Sequence, residues 1–239
     1  MKAQITYLDN SGFAVKTKEH FLVFDCWNMH PEPGKSGLAG GVIDPAEIAG
    51  EKVLVFVSHR HGDHYNTGIF KWADSIPDIH YIVSDDVRAP KGALAARAHE
   101  EYDIGSVAIK TLRSTDEGVA FLVAADGLKI YHAGDLNWWH WEGEDPRWNA
   151  QMGDDYKREI DRLAKERVDI AFVPVDPRLE RDQVRGVAYF METVDAQMVI
   201  PMHYGNAAKS AAQALKQAHI RHGERIISPM QRGQTVAFE

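Results

Sequence analysis

The chain has 239 residues, 27 basic and 35 acidic side chains, a net charge of −8 and a 44% apolar share. That balance is globular and long enough for one large domain with a buried core. The acid excess argues against broad electrostatic binding to nucleic acid or an anionic membrane. The single cysteine, Cys26, excludes a disulfide framework or a thiolate metal knuckle within one chain. Residues 4–7, 13–16 and 21–24 are short β-like runs separated by turn-formers, which predicts an antiparallel meander. Residues 53–58 form a continuous apolar run, the pattern of a strand buried on both faces, and residues 79–83 repeat it. Between and after them, residues 67–74 and 85–98 read as helices, with Asp85 or Asp86 as cap and Pro90 near the first turn of the second. Strands follow at 107–112, 119–124 and 128–132, the last two joined by the hairpin signal Ala125-Asp126-Gly127. Helices are expected at 156–167, 184–194 and 207–218, alternating with strands at 170–173, 198–200 and 235–238.

These elements predict two central sheets covered by helices in one α/β domain over residues 1–239. Two stretches read as long loops and so as functional candidates: residues 27–41, rich in Gly and Pro, which should overhang the site, and residues 136–153, which hold four of the six tryptophans. The opening MKAQITYLDNSG lacks the basic and apolar regions of a signal peptide, and no apolar run is long enough to span a bilayer. A cytoplasmic protein with no membrane partner is the expectation.

Twelve histidines against one cysteine are the feature to explain. The run Ser58-His59-Arg60-His61-Gly62-Asp63-His64 follows directly after a buried strand. Such a pattern arises by chance in roughly one chain in 400 of this composition. His59 and His61, two apart on an extended segment, point to one side and can grip a single ion, while Gly62 lets the chain turn so that Asp63 and His64 face a second point. Imidazole and carboxylate suit zinc, iron or manganese without thiolate. A strand's C-terminal end is also where α/β sheets place sites.

Here the chain resembles the metallo-β-lactamase fold superfamily, over nearly its whole length. Besides His59–His64, the run Ile130-Tyr131-His132-Ala133-Gly134-Asp135 is similar to that superfamily's strand-end Gly-Asp, and Ile200-Pro201-Met202-His203-Tyr204 to its last ligand strand. Ser11-Gly12-Phe13 and Leu22-Val23-Phe24-Asp25 are similar to its opening strands, and the pattern is closest to small hydrolases resembling ascorbate-6-phosphate lactonase. The resemblance implies a four-layer αββα sandwich of α/β (α+β) class. It also implies that His59 and His61 hold one metal, that Asp63, His64 and His203 hold a second, and that Asp135 bridges them. The superfamily supplies a third histidine to the first metal shortly before the strand at 119–124, where this chain reads Leu112-Arg113-Ser114-Thr115-Asp116-Glu117-Gly118. Three completions stay open: Asp116 or Glu117 ligates through oxygen, the first metal is weak or absent, or His132 or His140 swings in. A lopsided site is expected, holding one or two divalent ions, zinc first, with manganese or iron favoured by a carboxylate.

Around this constellation, Asp25 is placed to orient a histidine. His132 faces opposite to Asp135 along its strand and either supports the site or is simply buried. Trp138 and Trp139 form a pocket wall or a plug. Arg178 and Arg181 either bind a substrate carboxylate or phosphate or pair with Asp176, Glu180 or Asp182. Cys26 is a buried small hydrophobe. The reading is a metal-dependent hydrolase of a small ester, lactone or phosphorylated metabolite, with Asp63 and Asp135 in the chemistry. Its alternative is a non-catalytic or ligand-sensing protein with an incomplete metal site; a nuclease is disfavoured by the charge.

Overall fold

The opening runs alternate apolar side chains between two faces that are both covered, so they pair into a sheet with a core on either side. In the computed structural model, which describes residues 2–239, β1 (Ala3–Asp9), β2 (Gly12–Lys16) and β3 (His20–Phe24) form the expected antiparallel meander. β4 (Lys52–Val57), β5 (Ile79–Ser84) and β6 (Leu94–Ala96) then add in parallel. β7 (Glu101–Ile104), β8 (Val107–Arg113), β9 (Val119–Ala125) and β10 (Leu128–His132) start a second, antiparallel sheet. β11 (Arg167–Pro174) and β12 (Asp195–Met202) extend it in parallel, and β13 (Thr235–Phe238) returns to pair with β1. The strand orders are β13-β1-β2-β3-β4-β5-β6 and β12-β11-β10-β9-β8-β7.

Period-2 alternation explains the layers. Leu54 and Phe56 of β4 face the space between the sheets, whereas Val53, Val55 and Val57 face outward against Ile69 and Trp72 of a 3₁₀ helix at Thr67–Asp74. Aromatic pairs lock the sheets face to face: Phe13 stacks on Phe172 at 4.1 Å between centroids, and Phe56 meets Phe121 edge-on at 5.3 Å. α1 (Pro146–Ile160) and α2 (Arg185–Thr193) cover the second sheet, where Tyr131 stacks on Phe190 of α2. α3 (Ala208–Gln217) inserts Ala211 into the same core. The result is the expected layered αββα sandwich. None of the described helices is long and apolar enough to cross a membrane.

Three expectations are corrected. Residues 85–98 are not helical: Pro90 and Gly92, the latter at φ +101°, break the segment, and Leu94–Ala96 pairs with β5 instead. The helix expected at 156–167 begins nearly three turns earlier and ends about two turns earlier, because the Asp145 side chain caps the backbone N–H groups of Arg147 and Trp148 with Pro146 at the first position. Residues 136–153 are therefore loop only as far as Asp145, and by Arg167 the chain has already entered β11. The third concerns residues 27–41. They are not wholly irregular, since Gly37–Gly40 form a short 3₁₀ turn, and side chains outside the turn tie the segment to its neighbours. Arg232 donates to the carbonyls of Leu8, His30 and Gly41, and Asn28 donates to Asp9.

The two sheets are also tied at the end remote from the candidate ligands. Asp126, at the tip of the β9–β10 hairpin, accepts from the Thr17 hydroxyl at 2.5 Å, from the Glu19 and His20 backbone N–H groups, and from the His20 ring at 3.1 Å. Burial opposes its ionisation, but these donors outweigh burial and pull the carboxyl down to about 2. Its stabilisation is thus complete above the ordinary carboxylate value and is lost as the pH falls towards the folded value. Asp126→Ala should cost about 1–3 kcal/mol near neutrality. In urea denaturation, the gap between variant and parent should shrink as the pH falls from about 5 to about 2.

Candidate metal centre

Four parallel-running strands end at one edge of the sandwich, and each delivers a functional side chain there. β4 leads to Ser58 and His59, β10 to Asp135, β11 to Asp176, and β12 to His203. Two turns allow the close approach. Gly118, at φ +70°, ends the Ser114–Gly118 turn so near β4 that a Cβ there would lie 2.0 Å from the Ser58 carbonyl. Gly134, at φ +52°, leaves no room for one against Ser58 Cβ, 2.6 Å away. Thr115 completes the clamp: its hydroxyl donates to the Asn137 carbonyl at 2.7 Å and accepts from the Asn137 N–H at 3.0 Å.

Two donor groups result, each with ligand atoms within 4.8 Å of one another: His59, His61, Asp116 and Asp135, and Asp63, His64 and His203. Asp135 sits between them. Its Oδ2 lies 3.5 Å from His59 Nε2, and its Oδ1 lies 3.2 and 3.4 Å from the Nε2 atoms of His64 and His203. Asp63 Oδ2 lies 3.8 and 3.9 Å from those same two nitrogens and accepts from the Asn10 amide at 3.0 Å.

The tautomers follow from the surroundings. Asp25 accepts from the Ser58 N–H at 2.7 Å, from the Ser58 hydroxyl at 2.6 Å and from His64 Nδ1–H at 2.8 Å. Because the Ser58 proton goes to Asp25, its Oγ receives His59 Nδ1–H at 2.9 Å. Asp176 receives His203 Nδ1–H at 3.1 Å. All three rings therefore turn Nε2 towards Asp135, the atom that is left to ligate a metal ion once its proton is displaced. The buried His59 Nε2, His64 Nε2 and Asp135 Oδ1 have no hydrogen-bond partner. Buried polar atoms left unpaired cost about 1–3 kcal/mol each; three converging on one point, all from metal-ligating residue types, fit a divalent cation. Burial opposes charge on the His64 ring, but Asp135 and Asp25 outweigh it and raise its pKa well above the ordinary value. Burial likewise opposes ionisation of Asp135, yet the charges of His64 and His203 hold its carboxyl low.

Of the side chains named for the missing third histidine, one lies within reach of the first donor group. Asp116 joins the first group, with its Oδ2 3.8 Å from His61 Nδ1. Glu117 instead receives Arg60 at 2.8 Å. His132 uses both nitrogens: Nε2–H donates to the Ser11 carbonyl at 2.8 Å, Nδ1 accepts from the Gly134 N–H, and the ring stacks on Phe24. His140 lies by Asp182, its Nε2 3.9 Å from that carboxylate, outside both groups. Of the two open roles for Arg178, its fork is taken by Asp176, with Nε and Nη2 on the two carboxylate oxygens, and it stays 64% exposed. Cys26 is free and buried.

Trp138 is a correction. It packs away from the ligands against Gly153, Tyr156 and Tyr189, with Lys157 over its face. Trp139 does face the site, its ring edge-on to His203 at 5.6 Å and its N–H on the Asp135 carbonyl. Trp141, Trp148 and Met152 take the place expected of Trp138, lining a cavity beside Asp116 and Asp135. Residues 27–41 line neither this cavity nor the one on the Asp63 side. Asp176 carried no expectation as the partner of His203; its signal was an acid just beyond a buried strand's C-terminal end, as for Asp135.

A family model for a beta-lactamase superfamily domain matches residues 4–142, more than half of the chain. The chain belongs to this superfamily. A relative of the family, a UPF0173 metal-dependent hydrolase from Alkaliphilus metalliredigens, is 26% identical over 222 residues, covering 84% of this chain and 85% of its own. Among solved structures, Igni18, a metallo hydrolase from Ignicoccus hospitalis, superposes with a TM-score of 0.66 at 17% identity over 99% of this chain and 98% of its own. CmlA, a diiron β-hydroxylase from Streptomyces venezuelae, gives 0.62 at 10% identity over 98% of this chain and 54% of its own. At such identities the structural matches speak for the family's fold alone.

If the buried Asp25 hub orients the rings, its loss should be felt twice. Asp25→Ala leaves Ser58 and His64 unpaired and should cost about 3 kcal/mol or more in urea denaturation. It should also weaken metal binding about 10–100-fold by competition with a chelating dye.

Proposed function

We propose that this chain is a metal-dependent hydrolase acting on a small ester, lactone or phosphorylated metabolite, as in the small hydrolases resembling ascorbate-6-phosphate lactonase. The observation that carries the proposal is the convergence of unpartnered His59 Nε2, His64 Nε2 and Asp135 Oδ1 on one point. His59, His61 and Asp116 would hold one divalent ion, Asp63, His64 and His203 a second, with Asp135 between them. Such ions supply Lewis acidity towards a carbonyl or phosphoryl oxygen and acidify water. Zinc is the first choice for histidine-rich sets, and the oxygen ligand Asp116 widens it to manganese or iron.

The chain's own residues do the rest. Asp25, Ser58 and Asp176 keep each imidazole in the tautomer that presents Nε2. Asp63 is half exposed at the mouth, and its Oδ2, held by Asn10 and facing the His64 and His203 Nε2 atoms, orients the attacking water and accepts its proton. The Trp139 ring walls one side and keeps bulk water from His203. Asp116 within the first donor group weighs against the non-catalytic alternative, whose premise was an incomplete set. A small-molecule substrate is proposed over nucleic acid because a net charge of −8 offers a phosphate backbone little attraction.

Two measurements test this. Elemental analysis of protein equilibrated with zinc, manganese or iron should find two ions per chain for the parent and one for Asp116→Ala, with Asp116→His regaining the second on zinc. Turnover of a panel of aryl esters, lactones and phosphomonoesters should fall to the uncatalysed level on chelation and in His64→Ala. Full activity after either treatment sinks the mechanism, and a parent that binds no metal sinks the reading altogether.

A further inference from the structure

One side of the cavity beside Asp116 and Asp135 is formed by three indoles and a thioether, Trp139, Trp141, Trp148 and Met152, and the other by Thr115, the two carboxylates and Arg178. Trp148 and Met152 are one turn apart on α1, so they present a continuous apolar strip to it. Trp148 is 41% exposed, the one large exposed hydrophobic side chain among the described residues, and it stands at this rim. Trp139 and Trp141 lie nearly parallel, 7° apart with centroids at 6.2 Å, and form a flat wall. The enclosed volume is about 220 Å³, below the roughly 300–1,000 Å³ of drug-sized pockets, and so suits a group of one or two rings.

Arg178 provides the polar end. Its guanidinium is shared by the indole-walled cavity and by the cleft on the Asp63 and His203 side, and so stands between the two. It is held there from two directions, by the Asp176 fork and by the face of Trp141, 5.8 Å from its centre. Nε and Nη2 are engaged, while Nη1 makes no hydrogen bond among the described residues and is free to donate.

We infer that the substrate is a carboxylate-bearing molecule with an aryl or similarly compact apolar group. The ring rests against Trp139, Trp141 and Trp148, the carboxylate meets Arg178, and the scissile group, for which the second carboxylate of a dicarboxylate probe stands in, lies beside Asp116 and Asp135. The inference rests on the hydrolase reading for its scissile group, since Asp116 and Asp135 belong both to the cavity wall and to the first donor group. Recognition itself needs no turnover and is measured separately.

Calorimetry on the metal-loaded protein uses three probes: phenylsuccinate, succinate, which lacks the ring, and 3-phenylpropionate, which lacks one carboxylate. Phenylsuccinate should bind about tenfold or more tighter than either of the others. Trp148→Ala removes an exposed side chain and should leave the fold intact. It should weaken phenylsuccinate and 3-phenylpropionate about tenfold while leaving succinate unchanged. Arg178→Gln should erase the preference for phenylsuccinate over 3-phenylpropionate. Phenylsuccinate binding no tighter than succinate, or unchanged in Trp148→Ala, overturns the inference even if the protein hydrolyses esters. The predicted binding pattern in a protein that hydrolyses nothing keeps the cavity's assignment and overturns the hydrolase reading instead.

Discussion

One buried carboxylate organises the rest of the site. Asp25 stands just beyond β3 with a left-handed backbone at φ +43°, and there it accepts the N–H and hydroxyl of Ser58 together with the ring proton of His64. Because the Ser58 proton is committed to Asp25, His59 must donate to Ser58 in turn. A single acid thus sets the tautomer of two histidines in the loop that follows β4. Asp176 does the same for His203 from the other sheet. A network of this kind has one satisfied arrangement, which is what makes ring orientations at a metal centre definite.

The arrangement is costly, and the sandwich around it makes the cost tolerable. Asp25, His59, His64 and His132 are buried to within a few per cent, and three polar atoms at the centre have no protein partner. Charged and unpaired groups in such surroundings destabilise the fold unless something binds them. The inter-sheet aromatic contacts, Phe13 on Phe172 and Phe56 on Phe121, hold the strands that carry these groups. His132 shows how closely core and site interlock. It reads in sequence as part of the metal motif, yet it stacks on Phe24 and satisfies both nitrogens locally, so it belongs to the wall and not to the centre.

Much of this was legible in the residues. His59, His61, Asp63 and His64 are contiguous and follow a buried strand, so the period of an extended segment and one glycine suffice to place them. The strand runs likewise announced two sheets, since alternation has a range of only a few residues. Asp116 was not decidable in the same way. Its nearness to His61 depends on the Ser114–Gly118 turn lying against Ser58, a contact made possible by the missing side chain of Gly118 and by the Thr115–Asn137 exchange. The tryptophans were misjudged for a related reason: on an irregular segment neighbouring side chains have no fixed period, and Trp138 turned into the core while Trp139 turned to the site. The cap at Asp145, present in the sequence as Asp-Pro, was the signal that α1 begins early enough to bring Trp148 to the rim.

By itself, then, the sequence determined the layered sandwich, the histidine-rich grip at the end of β4 and the absence of thiolate chemistry, because these follow from local periodicity, turn residues and composition. Only the tertiary structure decided that Asp116 lies within reach of the first donor group, that Asp25 and Asp176 orient the rings, and that a cavity walled on one side by indoles, with Arg178 at its mouth, adjoins these side chains. Those contacts join residues far apart along the chain, and their distances are set by strand register and sheet packing summed over the whole fold.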